Sequence, residues 1–208
     1  MPPKAAKGEY IETDTGNKIS RRSQIHGTQH IILGGKSIIQ SEAVLRGDLF
    51  RTSTSSTTDA TPNPDPTTNP TPNPNPTNTN TIAISIGRYS YISRSAILHP
   101  PSRLHRGTLS YFPLKIGDHV FIGERAVVEA ASVGNHVHVG QEAVIGNMAI
   151  LKDFAYVLDG AVVPGGMVVP SWSVVGGAPA RIVGEVGEGY GVEGAEGGMA
   201  RERYRGVR

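Results

Sequence analysis

The sequence predicts an all-β fold in which the chain winds into a parallel β-helix with three short strands in every coil. Three features predict it: aliphatic residues recur every six positions, a small residue follows most of them by four, and glycine often comes directly after them. We call the recurring aliphatic residues anchors. They are Leu33, Ile39, Leu45, Ile86, Ile92, Leu98, Ile116, Ile122, Val128, Val133, Val139, Ile145, Leu151, Val157, Val163, Val169 and Val175.

The six-residue spacing favours short bent strands over a helix. In a helix, six residues rotate the chain by about 240°, so the anchors would point in three directions. A chain that bends once every six residues turns each anchor inward, and the small residue fills the narrow space at the bend. Three such units make a coil of about 18 residues, and coils stack about 4.8 Å apart. The anchors therefore predict about six coils.

Two segments are expected to leave the coil. Apart from Ala60, residues 52–81 are only Ser, Thr, Asn, Asp and Pro, which bury too little apolar surface to fold, so we expect a disordered insertion. Residues 99–115 contain three prolines, which cannot donate to a β ladder, and a loop is expected there. The five-residue step from Val128 to Val133 marks a smaller irregularity within the coils.

The end of the chain is rich in glycine and is a poor candidate for a helix that would cap the last coil. The predicted organisation is a flexible N-terminus, a first part of the β-helix, the insertion, the main β-helix with its loop, and a glycine-rich tail. The bounds of these five parts are 1–9, 10–51, 52–81, 82–184 and 185–208.

Composition argues against several classes of function. With no cysteine, the chain has no disulfide, no thiolate metal site and no cysteine nucleophile, which favours a reducing compartment such as the cytoplasm. The net charge of +2 is too small to indicate nucleic-acid binding. No apolar segment approaches the roughly 20 residues of a membrane span, and the first residues show no secretory signal. We therefore expect a cytoplasmic protein that inserts into no membrane.

The repeats resemble those of the hexapeptide-repeat proteins, whose fold is a left-handed parallel β-helix. The handedness comes from this resemblance, because general rules for strand crossovers favour the right hand. Enzymes with this fold include γ-class carbonic anhydrases and acyltransferases, and both activities stay open here as alternatives. The segment VVGGAPARIV (174–183) resembles an ending that both groups use.

The stretch VLRGD (44–48) resembles a characteristic segment of the γ-class carbonic anhydrases. The resemblance implies that Arg46 and Asp48 belong to a network of subunit contacts. That family also binds zinc through three histidines. Here His99 matches the first histidine, but Glu124 and Glu129 stand at the other two positions. These positions indicate a degenerate metal site, so we expect no bound metal, no other cofactor and no catalytic residue.

Other histidines are weaker candidates for chemistry. His105 is the loop histidine that would serve as the base in a hexapeptide acyltransferase, but no residue that would orient it is recognisable. His136 and His138 lie two residues apart and would point to the same side of a strand. We expect both to be surface side chains, with His136 stacked on His119 of the preceding coil.

A more specific resemblance covers most of the chain outside 52–81 and the last 25 residues. The segments that carry it include YIETDTGNKISRRSQIHGTQHIILGGKSIIQSEAVLRGDL (10–49), RSAILHPP (94–101), YFPLKIGDHVFIGERAVVEAASVGNHVHVGQEAVIG (111–146) and LKDFAYVLDGAVVP (151–164). These segments are similar to the dynactin subunit 5 family. The resemblance implies a non-enzymatic structural and adaptor subunit of the dynactin pointed-end complex, supporting dynein-driven transport of cargo such as early endosomes along microtubules.

The same resemblance implies a set of partners. They are dynactin subunit 6, which is another β-helical subunit, the pointed-end actin-related protein and dynactin subunit 4, with dynein cargo adaptors as further candidates. It also implies a location in the cytoplasm, at the cytoskeleton. The long insertion at 52–81 departs from the family, in which a short connection between coils would be expected.

Overall fold

A computed structural model describes residues 9–50, 82–105, 107–187 and 203–207. In these residues the chain winds into a left-handed parallel β-helix, and the predicted fold class is confirmed. The predicted insertion at 52–81 lies wholly outside the described residues, and so do most of the predicted tail and all but residue 9 of the predicted N-terminal part. No helix among the described residues is long and apolar enough to cross a membrane.

Three parallel sheets form the walls of the β-helix, and we call their outer surfaces the first, second and third face. The first sheet contains β2 (Lys18–Ser20), β5 (Ile38–Ile39), β8 (Tyr91–Ile92), β13 (Phe121–Ile122), β16 (His138–Val139), β19 (Tyr156–Val157) and β22 (Ser173–Gly176). The second contains β3 (Gln24–His26), β6 (Val44–Arg46), β9 (Ile97–Leu98), β14 (Val127–Val128), β17 (Val144–Ile145) and β20 (Val162–Val163). The third contains β4 (Ile31–Leu33), β7 (Ile84–Ile86), β12 (Leu114–Ile116), β15 (Ser132–Val133), β18 (Ile150–Leu151) and β21 (Val168–Val169).

Antiparallel strands close both ends of the first sheet. β1 (Tyr10–Glu12) pairs with β2, and β23 (Arg181–Glu185) pairs with β22. These pairs use backbone groups that an open sheet edge would leave free. A further short segment, 203–206, forms a helical turn.

The structure contains one coil more at its start than the anchors predicted. Ile19 and Ile25 lie in β2 and β3, and Ile19 pairs in register with Ile39 of the next coil. The chain then reaches Leu33 through a 3-10 turn at Thr28–His30, a step of eight residues. Because that step breaks the six-residue period, the sequence pattern did not extend to this coil.

The anchors form the core that the sequence predicted. Every anchor from Ile39 to Val175 is at most 4% exposed. The residues four positions after the anchors are small and also buried, because the interior narrows where the backbone turns. They are Ser37, Ala43, Ser90, Ala96, Ala126, Ala143, Ala149, Ala155, Ala161 and Ser173.

Most bends depend on a left-handed residue three positions after an anchor, and the exceptions within the coils follow Leu45, Leu98 and Val128 at the corner between the second and third faces. Eleven non-glycine residues hold φ between 53° and 62° there: Lys36, Glu42, Tyr89, Ser95, His119, Arg125, His136, Glu142, Met148, Phe154 and Trp172. This conformation costs an L-residue roughly 1–2 kcal/mol. Hydrogen bonds between coils offset the cost, since the bend residue donates its N–H to a carbonyl of the preceding coil, as from His136 to Asp118 O at 2.9 Å.

The glycines directly after anchors make room for a side chain of the next coil. Asp153 Oδ1 accepts a hydrogen bond from Asn135 N at 2.7 Å, and this brings the carboxylate over Gly134. A Cβ on Gly134 would lie 2.5 Å from that oxygen. The same arrangement recurs where Asn135 Oδ1 accepts from Asp118 N at 2.9 Å, over Gly117. The glycine and the Asp or Asn of the next coil are therefore a matched pair.

Among the described residues, the irregular connections and the two strands that flank the insertion meet at the corner between the second and third faces. The insertion runs between β6 and β7, and the predicted loop between β9 and β12. This loop contains an antiparallel hairpin, β10 (Ser102–His105) with β11 (Thr108–Tyr111), which the sequence did not predict. The five-residue step lies at the same corner, between β14 and β15. The coils continue in register across these segments, and Leu33 pairs with Ile86.

The two residues of β17 provide a test of the core. Ile145 is fully buried, whereas its neighbour Val144 points outward and is 36% exposed. We expect Ile145→Asp to lower the free energy of unfolding by more than about 3 kcal/mol, because it buries an unpaired charge. Val144→Asp should cost less than about 1 kcal/mol. Denaturant unfolding measures both, and equal costs would contradict the inward orientation of the anchors.

Candidate functional site

The positions of the degenerate metal site fall at two different corners. Leu98 and Val128 pair in adjacent coils, so His99 and Glu129, which follow them, lie side by side at the second–third corner. Glu124 lies at the first–second corner, before β14. Among the described residues, no three His, Asp or Glu side chains come together as a metal site would require.

The side chains at these positions have other partners. His99 Nδ1 lies 2.8 Å from the carbonyl oxygen of Pro100, to which it donates. Glu124 lies 4.0 Å from Arg125, whose guanidinium also contacts Glu142 Oε1 at 2.5 Å. The first–second corner therefore carries a small ion-pair network, and Arg125 is a member that the sequence analysis did not identify.

Arg46 and Asp48 pair with each other. Arg46 Nε and Nη2 donate to the two carboxylate oxygens of Asp48, both at 2.8 Å, in a bidentate pair. These hydrogen bonds lower the pKa of Asp48 and raise the pKa of Arg46. Their side chains are 38% and 40% exposed, so both remain accessible to another protein surface. Their predicted role in subunit contacts stays a prediction.

The hairpin β10–β11 is attached to the second–third corner by the side-chain hydrogen bonds of Asn147, and the rings of Tyr111 and His99 lie in tilted contact with centroids 6.1 Å apart. Asn147 Oδ1 accepts from Ser102 N at 2.8 Å, and Asn147 Nδ2 donates to Ser102 O at 2.7 Å. Asn147 follows β17, so it reaches the hairpin from a coil two turns further along. The backbone of His105 belongs to β10, but its side chain lies outside the described residues, and its predicted role as a base stays untested.

The first face carries two parallel rows of stacked rings, which together we call the aromatic face. The outer row lies on the strands and contains Tyr91, Phe121, His138 and Tyr156, with ring centroids 4.3–5.6 Å apart. The corner row lies on the left-handed bend residues and contains Tyr89, His119, His136, Phe154 and Trp172, with centroids 4.1–5.1 Å apart. Coil stacking places each ring over the ring of the preceding coil.

Three histidines belong to these two rows of rings. The predicted stack of His136 on His119 is confirmed, with centroids 4.8 Å apart. The prediction that His138 is an exposed surface residue is wrong, since its relative exposure is 9%. It lies between Phe121 and Tyr156, with centroids at 4.8 Å and 4.3 Å. The spacing predicted on which side of the strand His138 lies. It could not predict that rings of the neighbouring coils bury the side chain.

Hydrogen bonds extend the outer row toward the first coil. Tyr10 donates its hydroxyl to Gln40 Oε1 at 2.8 Å, and Gln40 Nε2 donates to the Tyr91 hydroxyl at 2.8 Å. Burial raises the pKa of Tyr91 and of Tyr10. Both phenols therefore remain protonated at neutral pH, and this end of the aromatic face presents phenols and no phenolate charge.

The second face is aliphatic where the first is aromatic. Its outward residues pair from strand to strand over five successive coils, and we call this set the aliphatic stripe. The stripe contains Val44, Ile97, Val127, Val144 and Val162. Ile97, Val144 and Val162 are each 36–37% exposed, so the stripe is a continuous, partly accessible apolar surface.

Asn147 provides a test of how the hairpin is held. We expect Asn147→Ala to speed amide hydrogen exchange in 102–111, because both hydrogen bonds to Ser102 are lost. Asn147→Asp keeps the acceptor and loses the donor, so its exchange rates should be intermediate. Thermal unfolding of the coils should change little, because the side chain lies outside the core. Unchanged exchange in the Ala variant would mean that other contacts hold the hairpin.

His136 provides a test of the corner row. Its buried Nδ1 has no hydrogen-bond partner among the residues that the structure describes, and an unpaired buried polar atom costs about 1–3 kcal/mol. Phe154 and Trp172 hold the same left-handed position, so an aromatic ring fits there. We expect His136→Phe to raise the free energy of unfolding by about 1 kcal/mol. His136→Ala should lower it, since stacking is lost. Equal destabilisation by Phe and Ala would contradict this account of the row.

Comparison with known proteins identifies the family. A family model described as dynactin subunit 5 matches residues 77–192. A protein named dynactin subunit 5 from Dictyostelium discoideum is 35% identical over 135 residues, which cover 65% of this chain and 52% of that protein. The chain thus spans about half the length of this curated relative.

The fold has a wider distribution than the family. A solved structure of a hexapeptide transferase family protein from Anaplasma phagocytophilum matches with a TM-score of 0.55 at 17% identity, covering 92% of this chain and 88% of that one. At that identity the likeness concerns the fold alone. The family match spans more than half of the sequence and includes β7 to β23, the main run of coils. The chain belongs to the dynactin subunit 5 family.

Proposed function

We propose that this protein is a non-enzymatic structural and adaptor subunit of the dynactin pointed-end complex, and that it supports dynein-driven transport of cargo such as early endosomes along microtubules. Membership of the dynactin subunit 5 family is the observation that carries the proposal. The partners we propose are dynactin subunit 6, the pointed-end actin-related protein and dynactin subunit 4, with dynein cargo adaptors as further partners. The proposed location is the cytoplasm, at the cytoskeleton.

The residues at the degenerate metal site support a non-enzymatic role. A zinc hydroxide of the γ-carbonic anhydrase kind is bound by three neutral imidazoles, whereas this chain offers one imidazole and two carboxylates at those positions. Glu124 is also engaged by Arg125, and His99 Nδ1 by a backbone carbonyl. This donor set differs in type and in charge from the one that the reaction needs.

The aliphatic stripe suits a flat protein partner, and we propose that it packs against the β-helix of dynactin subunit 6. Two β-sheets pack face to face about 10 Å apart, and aliphatic side chains on flat faces interlock at that distance. Val44 of the stripe and Arg46 lie on the same strand, β6. The exposed Arg46–Asp48 pair therefore borders the stripe, where a polar rim of an interface is expected.

Affinity purification from native lysate tests membership of the complex. We expect the tagged chain to recover the actin-related filament subunits and dynactin subunit 6, identified by mass spectrometry. If an intact, folded chain recovers none of them, the proposed function is overturned. Metal content and CO2 hydration of the purified chain test the non-enzymatic part, and stoichiometric zinc with hydration activity would overturn it.

A substitution within the stripe tests the proposed interface. We expect Val144→Asp to reduce the recovery of dynactin subunit 6 at least fivefold, because a charge on the stripe would be buried without a partner. Val168→Asp is the matched control, since Val168 is 52% exposed on the third face. It should leave the recovery unchanged. Equal recovery with both variants would place the interface on another surface.

A further inference from the structure

The described C-terminal segment, 203–207, lies against the aromatic face. The guanidinium of Arg203 is stacked over the ring of Phe121, with its central carbon 4.2 Å from the ring centroid, and lies 5.5 Å from that of Tyr91. A guanidinium over a ring face is attracted by the ring quadrupole, and more strongly where water is excluded. Arg203 and both rings are at least partly buried here. A cation therefore lies over the first two rings of the outer row.

Lysine 18 contacts the backbone of the same segment. Its ammonium, on β2, donates to the carbonyl oxygens of Tyr204, at 2.9 Å, and Val207. It also lies 4.4 Å from the centroid of the Tyr204 ring. Because these hydrogen bonds go to main-chain carbonyls, Lys18 would recognise the turn of the peptide whatever its side chains. The ring contact adds a preference for an aromatic residue at that position.

The hydroxyl of Tyr204 contacts the opposite wall of the site. It donates to the carbonyl oxygen of Gly16 at 2.7 Å and lies 3.4 Å from Glu12 Oε1. Burial raises the pKa of Tyr204, so the hydroxyl keeps its proton for this donation. The segment is therefore recognised through a cation, a phenol and its backbone, by residues of β1, β2, β8 and β13 and the turn between β1 and β2.

The site continues beyond the residues that the segment covers. A cavity of about 370 Å³ opens beside Tyr204 and is lined by Lys36, Tyr89, Tyr204 and Arg205. Lys36 Nζ donates to the Tyr89 hydroxyl at 3.1 Å on its wall. The cavity is large enough for one or two further side chains of a longer ligand.

We propose that the aromatic face is a peptide-recognition site for an exposed segment with arginine followed by tyrosine, and that residues 203–207 are its displaceable resident occupant. The occupant belongs to the same chain, so its effective concentration is high, on the order of millimolar. A partner segment with the same two side chains would have to compete with it. Binding of such a segment should therefore strengthen when the resident is weakened. This proposal does not depend on dynactin membership.

Competition in the full-length chain tests the proposal. The probe is a fluorescein-labelled peptide RERYRGVR, the sequence of residues 201–208, followed by fluorescence anisotropy. We expect a chain carrying Arg203→Ala and Tyr204→Ala to bind the probe at least tenfold more tightly than the unchanged chain. Arg181→Ala is the charge control, because it removes an arginine from an exposed position of β23, outside the segment and its site. That variant should bind the probe as the unchanged chain does.

Substitutions of the face distinguish this site from nonspecific attraction. In the Arg203→Ala, Tyr204→Ala background, Phe121→Leu should weaken binding at least tenfold, and Lys18→Gln should weaken it several-fold. Val144→Leu, on the second face, should have no effect. Thermal unfolding shows whether each variant is folded. If the Phe121→Leu variant is not folded, Lys18→Gln provides the test. Probe binding that is absent in every variant, equal with and without the resident, or insensitive to the face substitutions overturns the proposal.

Discussion

Hydrogen bonding between successive coils is the constraint from which the rest of the structure follows. In the three parallel sheets, each strand after the first coil pairs in register with the strand one coil earlier, as Val144 pairs with Val127, so a residue lies directly over its equivalent about 4.8 Å away. A residue type that recurs at one position of the coil therefore forms a column of similar side chains along the β-helix. Columns of anchors make the core, columns of rings make the aromatic face, and a column of Asp and Asn side chains covers the glycines at the bends. A strand with different pairing would break all of these columns at once.

The three corners differ in whether they tolerate an insertion, because different columns of side chains lie at them. The third–first corner is occupied by the stacked corner row, in which an inserted residue would separate rings that are 4.1–5.1 Å apart. The first–second corner carries the ion pairs of Arg125 and the hydrogen bond from Ser95 to Glu42. At the second–third corner the residue types vary from coil to coil, and the hairpin is attached there through the hydrogen bonds of Asn147 and the contact between the Tyr111 and His99 rings. Insertions are found where no column is interrupted.

The sequence predicted what repeats and missed what depends on a single contact. The anchors, the small bend residues and the stack of His136 on His119 follow from a period, and the structure agrees with them. The first coil was missed because the step from Ile25 to Leu33 breaks that period. The hairpin was missed because its prolines lie at its base and not within its strands. The buried state of His138 and the contact of Arg203 with Phe121 each require knowing which distant residue lies overhead.

The same architecture explains why a fold shared with a transferase does not carry the transferase's chemistry with it. His99 and Glu129 point away from the core, next to Leu98 and Val128, which are fully buried. Exchanging an outward residue changes no core contact and no backbone hydrogen bond between coils. The stability of the fold therefore does not require a metal ligand or a catalytic base at an outward position. The inward residues are constrained in the opposite way, because a charge or a cavity among them destabilises every neighbouring coil. Likeness of fold therefore indicates only that the inward residues of two β-helices are similar. Function has to be inferred from the outer faces, where this chain has the aromatic face and the aliphatic stripe.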